Sequence, residues 1–183
     1  MIYSPTTKKA MAIMFECHKN QVDKADMPYP FHPFHVAESM PDEKSTCVAL
    51  LHDVVEDTPM TLEDLRNAGF ADDILFSLSN LTHLDGQDYY EYVANLSLDP
   101  TAILVKLSDL KHNSDLSRLD VIDEKVVKRI KKYDVCIRFL ESQLQLIQYG
   151  KYDLAKNNAE KFIIEIKKKN IKKYKKMEDL WLI

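Results

Sequence analysis

The chain has 183 residues, 45% of them hydrophobic and 30% charged, with a net charge of -4; this suits one well-buried globular domain and excludes a disordered chain or a general polyanion binder. Only 3 glycines occur, and no apolar run approaches the roughly 18 residues of a membrane span. The expectation is an all-α protein with few tight turns, without membrane contact or a nucleic-acid partner.

Chain order supports that class. Ser4-Pro5 offers an N-cap with proline at the first helical position, and Ala10, Met11, Met14, Phe15 and His18 recur at helical spacing, so the first helix is expected over residues 5–20. Met1 to Pro5 has no basic region leading into an apolar core, so a signal peptide is not expected and a cytoplasmic location is. Pro28, Pro30 and Pro33 force an irregular connection over residues 21–34, after which Pro33 opens a short helix reaching Met40. A central helix is expected from Asp42 until Thr58-Pro59 stops it. Thr61 with Asp64 has the spacing of a capping box, and Gly69 suits the residue just past a helix end.

Further helices are expected over residues 72–81 and 87–96, and Asp99-Pro100 starts another that carries Ile103, Leu104, Val105 and Leu107. From residue 121 to 148, Val126, Ile130, Tyr133, Ile137, Leu140, Leu144 and Ile147 alternate in steps of four and three, the pattern of a long packed helix and a possible homodimer seam. Gly150 ends it. Residues 1–150 therefore form the expected domain, and 151–183 a helical extension whose stretch from Lys167 to Lys176 is strongly basic, read as a solvated helix face with Ile163, Ile166 and Trp181 opposite. Cys17, Cys47 and Cys136 are far apart with apolar neighbours, which suits buried reduced thiols and not a disulfide framework or a thiolate zinc site.

Three polar constellations interrupt the apolar helices: His32-Pro33-Phe34-His35, His52-Asp53 with Glu56-Asp57, and Lys106, Asp109 and Asn113. At 3.6 residues per turn Glu56 falls near the face of His52 and Asp53, and Asp57 lies below Asp53. Carboxylates are rarely buried without a partner, and a metal ion is the simplest partner for this many. Imidazole and carboxylate without thiolate suit Mn²⁺, Fe²⁺, Mg²⁺ or Zn²⁺, any of which would lower the pKa of a bound water. On the residues alone His32 and His35 compete as ligands.

Three stretches carry a resemblance: Pro28-Tyr29-Pro30-Phe31-His32-Pro33, Ala49 to Thr58, and Val105 to Asp109 with His112-Asn113. Over residues 5–120 the chain resembles the HD-domain phosphohydrolases, and among them the hydrolase domain of the RelA/SpoT-type alarmone enzymes and the small stand-alone alarmone hydrolases. The resemblance implies an all-α HD bundle and a metal, usually Mn²⁺, on His32, His52, Asp53 and Asp109, with His35 a neighbour. It implies Glu56 and Asp57 as the acid/base pair, Asn113 as a nucleotide contact, and Lys24 and Lys106 as candidates for substrate contacts; an ion pair is an equal reading for Lys106. The implied reaction removes pyrophosphate from the 3′ position of guanosine tetra- or pentaphosphate, and no synthesis is expected because no synthetase domain follows.

Three positions depart from that pattern. Asp23 stands where an arginine expected to stack on guanine is common, Leu110 where arginine follows the metal-ligand aspartate, and His83 where lysine is common. The alternatives carried forward are an HD-domain phosphatase of another nucleotide and a nucleotide-sensing metal-binding module. Retention of Glu56 and Asp57 speaks against the sensor, which needs the ligands but not the acid/base pair.

Overall fold

The computed structural model describes residues 1–119 and 121–178, and side chains to residue 169. Its described residues fold into an all-α bundle with no strand element. Helix α1, Pro5–His18, starts where Ser4 accepts from the Thr7 amide in a reciprocal capping box. Helix α2, Phe31–Glu38, begins two residues before Pro33. Proline is tolerated there because the amide it lacks belongs to the unpaired first turn.

The expected central helix is interrupted. Helix α3, Glu43–Leu51, is capped by Asp42, and α4, Val54–Asp57, follows after a break at His52-Asp53. Local periodicity does not reveal this break, because the Asp57 amide still donates to the Asp53 carbonyl at 2.9 Å, one helical turn back. Helices α5, Leu62–Asn67, and α6, Asp72–Leu81, follow, the former with the Thr61–Asp64 capping box and Gly69 at φ +85° beyond its end. A left-handed residue at that position costs glycine little.

Helices α7, Tyr89–Leu96, and α8, Pro100–Asn113, are capped by Asp88 and Asp99. A short 3₁₀ turn, Leu116–Arg118, leads to α9, Glu124–Gln148, and α10, Tyr152–Glu178. No described helix is long and apolar enough to cross a membrane.

The core gathers the fully buried Leu50, Leu51, Leu65, Leu96, Ile103 and Leu140. Helix α3 is central, packing against α1, α2, α6 and α8, while α10 lies on α7 and α9. The buried face of α9 includes Cys136, Phe139, Leu140, Gln143 and Ile147, so the predicted seam is turned slightly: Val126, Ile130, Tyr133, Ile137 and Leu144 are only half-buried. Cys47 and Cys136 are buried free thiols, whereas Cys17 is only partly covered. Lys167 pairs with Glu91 at 2.6 Å. The side chains of Lys172 to Lys176 and all of Leu180 and Trp181 lie outside the described residues.

Candidate metal centre and nucleotide cleft

The packing of α2, α3 and α8 brings the three polar constellations together. His32 sits in the first turn of α2, His52 at the C-cap of α3, Asp53 in the break, and Lys106, Asp109 and Asn113 follow one face of α8. Ligand atoms of His32, His52 and Asp109 all lie within 4.8 Å of one another, and all three residues are buried. Asp53 stands beside them, its Oδ2 3.1 Å from His52 Nε2 and 3.6 Å from His32 Nε2. His35 is exposed and faces Glu38 at 3.4 Å, so its ring is outside the cluster.

The donor set fits a divalent ion. His52 Nδ1 lies 2.7 Å from the Ala49 carbonyl, which can only accept, so this nitrogen carries the proton. Its Nε2 is buried without a hydrogen-bond partner and points at the carboxylates. An orphaned imidazole nitrogen beside two aspartates is the arrangement a metal satisfies, with the backbone carbonyl fixing the tautomer. Without a metal a proton takes that place: burial opposes it, but Asp53 and Asp109 overcome burial and raise His52 to about 9.

The carboxylates are held charged by their neighbours. Burial disfavours ionised Asp109, yet Lys106 at 2.9 Å and His32 at 3.2 Å hold it well below the usual carboxylate range. Burial would likewise strip the charge from Lys106, and Asp109 reverses this. Asp53 accepts from the Tyr29 hydroxyl at 2.6 Å, and its charge with burial pushes that phenol far above its ordinary value. Lys106 is therefore engaged in an ion pair, and Asn113 Nδ2 is committed to Asp109 Oδ1 at 2.5 Å.

A cleft of about 430 Å³ opens beside the cluster and includes His32, Asp53, Glu56, Asp57, Lys106, Asp109 and Asn113 in its lining. Its volume lies in the range of small-ligand sites. Glu56 Oε2 accepts from the His83 amide at 2.9 Å, so the loop after α6 orients it through backbone and not through the imidazole. Both carboxyls keep open surface, but shielding by the cleft walls raises Glu56 and Asp57 above their ordinary values, with Asp53 adding to the effect.

Lys24, Arg118 and Arg129, with Tyr89 and Tyr133, also line the cleft. Burial and then the nearby Arg129 lower Lys24. Sequence reasoning placed Tyr133 only in the packed seam and Tyr29 only in a matching stretch, and assigned no role to Arg118 or Arg129, because the residues after Asn113 carry no local spacing that announces a cleft lining. Asp23 lines the same cleft, its Oδ1 accepting from the amides of Ala25 at 2.8 Å and Met27 at 3.1 Å, while Oδ2 pairs with Arg118. Leu110 is buried in the core, so no cation from that position reaches the site.

No family model matches the chain. A GTP pyrophosphokinase of Myxococcus xanthus is 30% identical over 141 residues, covering 67% of this chain and 18% of its own length. The bifunctional (p)ppGpp synthase/hydrolase SpoT of Escherichia coli strain K12 is 28% identical over 121 residues, 58% of this chain and 17% of its own. A guanosine-3′,5′-bis(diphosphate) 3′-pyrophosphohydrolase of Aquifex aeolicus is 29% identical over 137 residues, 68% of this chain and 19% of its own. The chain thus spans less than a fifth of the length of these curated relatives. Among solved structures, one described as a metazoan ortholog of SpoT that hydrolyses ppGpp superposes with a TM-score of 0.63 at 22% identity, covering 90% of this chain and 97% of that one.

Proposed function

We propose that this chain, an HD-type alarmone-hydrolase domain by sequence and fold, is a metal-dependent nucleotide pyrophosphohydrolase that removes pyrophosphate from the 3′ position of guanosine tetra- or pentaphosphate, with Mn²⁺ as the ion and the cytoplasm as its place of action. The observation that carries the reading is the convergence of His32, His52 and Asp109 beside a cleft whose lining includes His32 and Asp109 together with Glu56 and Asp57. Asp53 is the fourth ligand in this reading.

A bound divalent ion supplies Lewis acidity that lowers the pKa of water and offsets charge on phosphate oxygens. Glu56, held by the His83 amide, and Asp57, one turn below Asp53, take a proton from the attacking water and return one to the departing 3′ oxygen as the new oxygen–phosphorus bond replaces the old. Their raised pKa values suit that exchange. Lys24, Arg118 and Arg129, which line the same cleft, meet phosphate charge there. Lys106 acts through Asp109, and Asn113 restrains the same carboxylate; contact of either with the nucleotide is part of the proposal.

One observation favours a second reading, the same hydrolysis on a different nucleotide. Asp23 places a carboxylate where a planar cation would stack on guanine, and a carboxylate cannot replace it. Purified protein with Mn²⁺ is to be assayed against guanosine tetraphosphate and a nucleotide panel, beside Asp57→Asn and a chelator-treated control. Pyrophosphate release from guanosine tetraphosphate that both controls abolish supports the first reading. Turnover confined to another nucleotide supports the second, and tight binding without turnover overturns both in favour of a sensor.

A further inference from the structure

Asp23 and His32 sit at opposite ends of one chain of side-chain contacts. Asp23 Oδ2 pairs with Arg118 Nη2, and Arg118 Nη1 lies 2.9 Å from His112 Nδ1 and 3.1 Å from the His112 carbonyl oxygen. That same His112 Nδ1 lies 2.7 Å from His32 Nδ1. The two imidazole rings are inclined by 26° with centroids 4.9 Å apart.

The donor inventory fixes the direction of every bond in this chain. A guanidinium can only donate, so His112 Nδ1 must accept, and the proton of the neutral His112 ring is on Nε2. An accepting His112 Nδ1 in turn requires His32 Nδ1 to donate. In its neutral form His32 then carries its proton on Nδ1, and its Nε2, 3.2 Å from Asp109 Oδ1 and 3.6 Å from Asp53 Oδ2, keeps a lone pair for a metal or for a second proton donated to Asp109.

We propose that Arg118, anchored by Asp23, is a positioning residue that sets the tautomer of His112 and through it that of His32, so that His32 meets a metal with its Nε2 lone pair exposed. The two cluster histidines thereby reach the same tautomer by different devices. His52 is fixed by the Ala49 carbonyl, whereas His32 is fixed by an arginine relayed through a second imidazole. If Arg118 is removed, His112 Nδ1 can carry a proton and donate it to His32, which moves the His32 proton to Nε2. There it is held by Asp109 and competes with the ion. The departure at position 23 gains a purpose: its carboxylate is the anchor of the relay, with Oδ1 already committed to the loop amides of Ala25 and Met27.

The metal consequence rests on the reading of His32 as a ligand; the tautomer does not. Long-range ¹H–¹⁵N spectra of the metal-free protein, followed across a pH series, are to be compared among wild type, Arg118→Leu, Asp23→Asn and Arg118→Lys. The expected result is an Nδ1–H His32 in wild type, a shift toward Nε2–H in Arg118→Leu, a smaller shift in Asp23→Asn, and recovery in Arg118→Lys. The His52 signals, set by Ala49, stay in place as the control for folding. Mn²⁺ affinity, read from the electron paramagnetic resonance of the free ion, falls on the order of 10-fold in Arg118→Leu, the lower end of the usual loss when a ligand's supporting partner is removed. An Nε2–H His32 in wild type, or an unshifted His32 in Arg118→Leu, overturns the relay. A shifted tautomer with Mn²⁺ affinity untouched by both Arg118→Leu and His32→Ala supports the relay and overturns instead the placement of the ion at His32.

Discussion

Lys106 Nζ lies 2.9 Å from Asp109 Oδ2, and the two side chains keep only 14% and 7% of their exposure. Each holds the other ionised against burial. Removing the lysine leaves Asp109 charged in a buried site, near a second carboxylate at Asp53. Lys106→Met is expected to cost about 3–5 kcal/mol in the metal-free protein, the range for breaking one partner of a buried pair. Saturating Mn²⁺ should shrink that loss, because the ion supplies the missing positive charge. Urea titrations with and without Mn²⁺ read the difference; an equal loss in both would mean that the ion does not reach Asp109.

Asp57→Asn is expected to lower turnover by roughly 10²–10⁴-fold while making the protein more stable at neutral pH. The sign follows from linkage. Burial and Asp53 raise the Asp57 carboxyl above its ordinary 3.8, so the folded state binds that proton more tightly than the unfolded state. Stability therefore declines as pH rises from about that ordinary value through the raised one, and ionised Asp57 is a net burden above it. The asparagine removes the burden. Because the carboxylate is half open to solvent, the gain is small, read as an upward shift of the thermal midpoint at neutral pH that vanishes in acid. A variant that is inactive and less stable would point to a structural role instead.

The metal-free protein should lose stability as pH rises from 6.5 to 9. His52 is raised from 6.5 to about 9 by Asp53 and Asp109 acting against burial. Its contribution is fully present below 6.5 and disappears as pH rises through the folded value. His112 works in the other direction and in a different window, since burial, then His32 and Arg118, lower it to about 4 and its penalty appears only below 6.5. Thermal midpoints in chelator at pH 6.5 and pH 9 test this, with Mn²⁺-loaded protein as the reference. The loaded protein, in which the ion displaces the His52 proton, should show a flatter profile.

Local signals account for most of what the sequence disclosed. The bounds of α6, the Thr61–Asp64 cap and the Asp99-Pro100 start are decided by residues within one turn of each other, and they appear where the pattern predicts. The grouping of His32, His52 and Asp109 was legible only through motif order, because no periodicity connects α2 to α8. The break at His52-Asp53 was hidden by an uninterrupted helical pattern on both sides. Arg118 stayed invisible for a different reason: its partner Asp23 is 95 positions away, and the 3₁₀ turn that delivers it has no helical face to announce its direction. Position 23 therefore looked like a lost cation, while the fold supplies a guanidinium from elsewhere in the chain.

Gln143 gives the sharpest test of how α10 is held. Its side chain is fully buried, donating from Nε2 to Ser97 Oγ at 3.1 Å and to the Ala155 carbonyl at 3.0 Å, and accepting at Oε1 from Asn158 Nδ2 at 3.0 Å. One residue of α9 thus links the end of α7 to the first turns of α10. Gln143→Leu substitutes an apolar side chain of similar bulk, removes all three bonds and leaves the half-buried Asn158 amide without its partner, while the Ala155 carbonyl keeps its place in the α10 ladder. The cost of unsatisfied buried groups is about 1–3 kcal/mol, more than the roughly 1 kcal/mol net worth of one ordinary hydrogen bond. Asn158→Ala removes only the outermost of the three bonds and should cost less. Neither residue lines the cleft, so turnover below the unfolding transition should stay within about twofold of wild type. Urea midpoints ordered wild type, Asn158→Ala, Gln143→Leu from highest to lowest bear the account out. Equal midpoints for all three would show that α10 is held by its apolar contacts alone, chiefly the stacking of Phe162 on Phe139 at 3.9 Å.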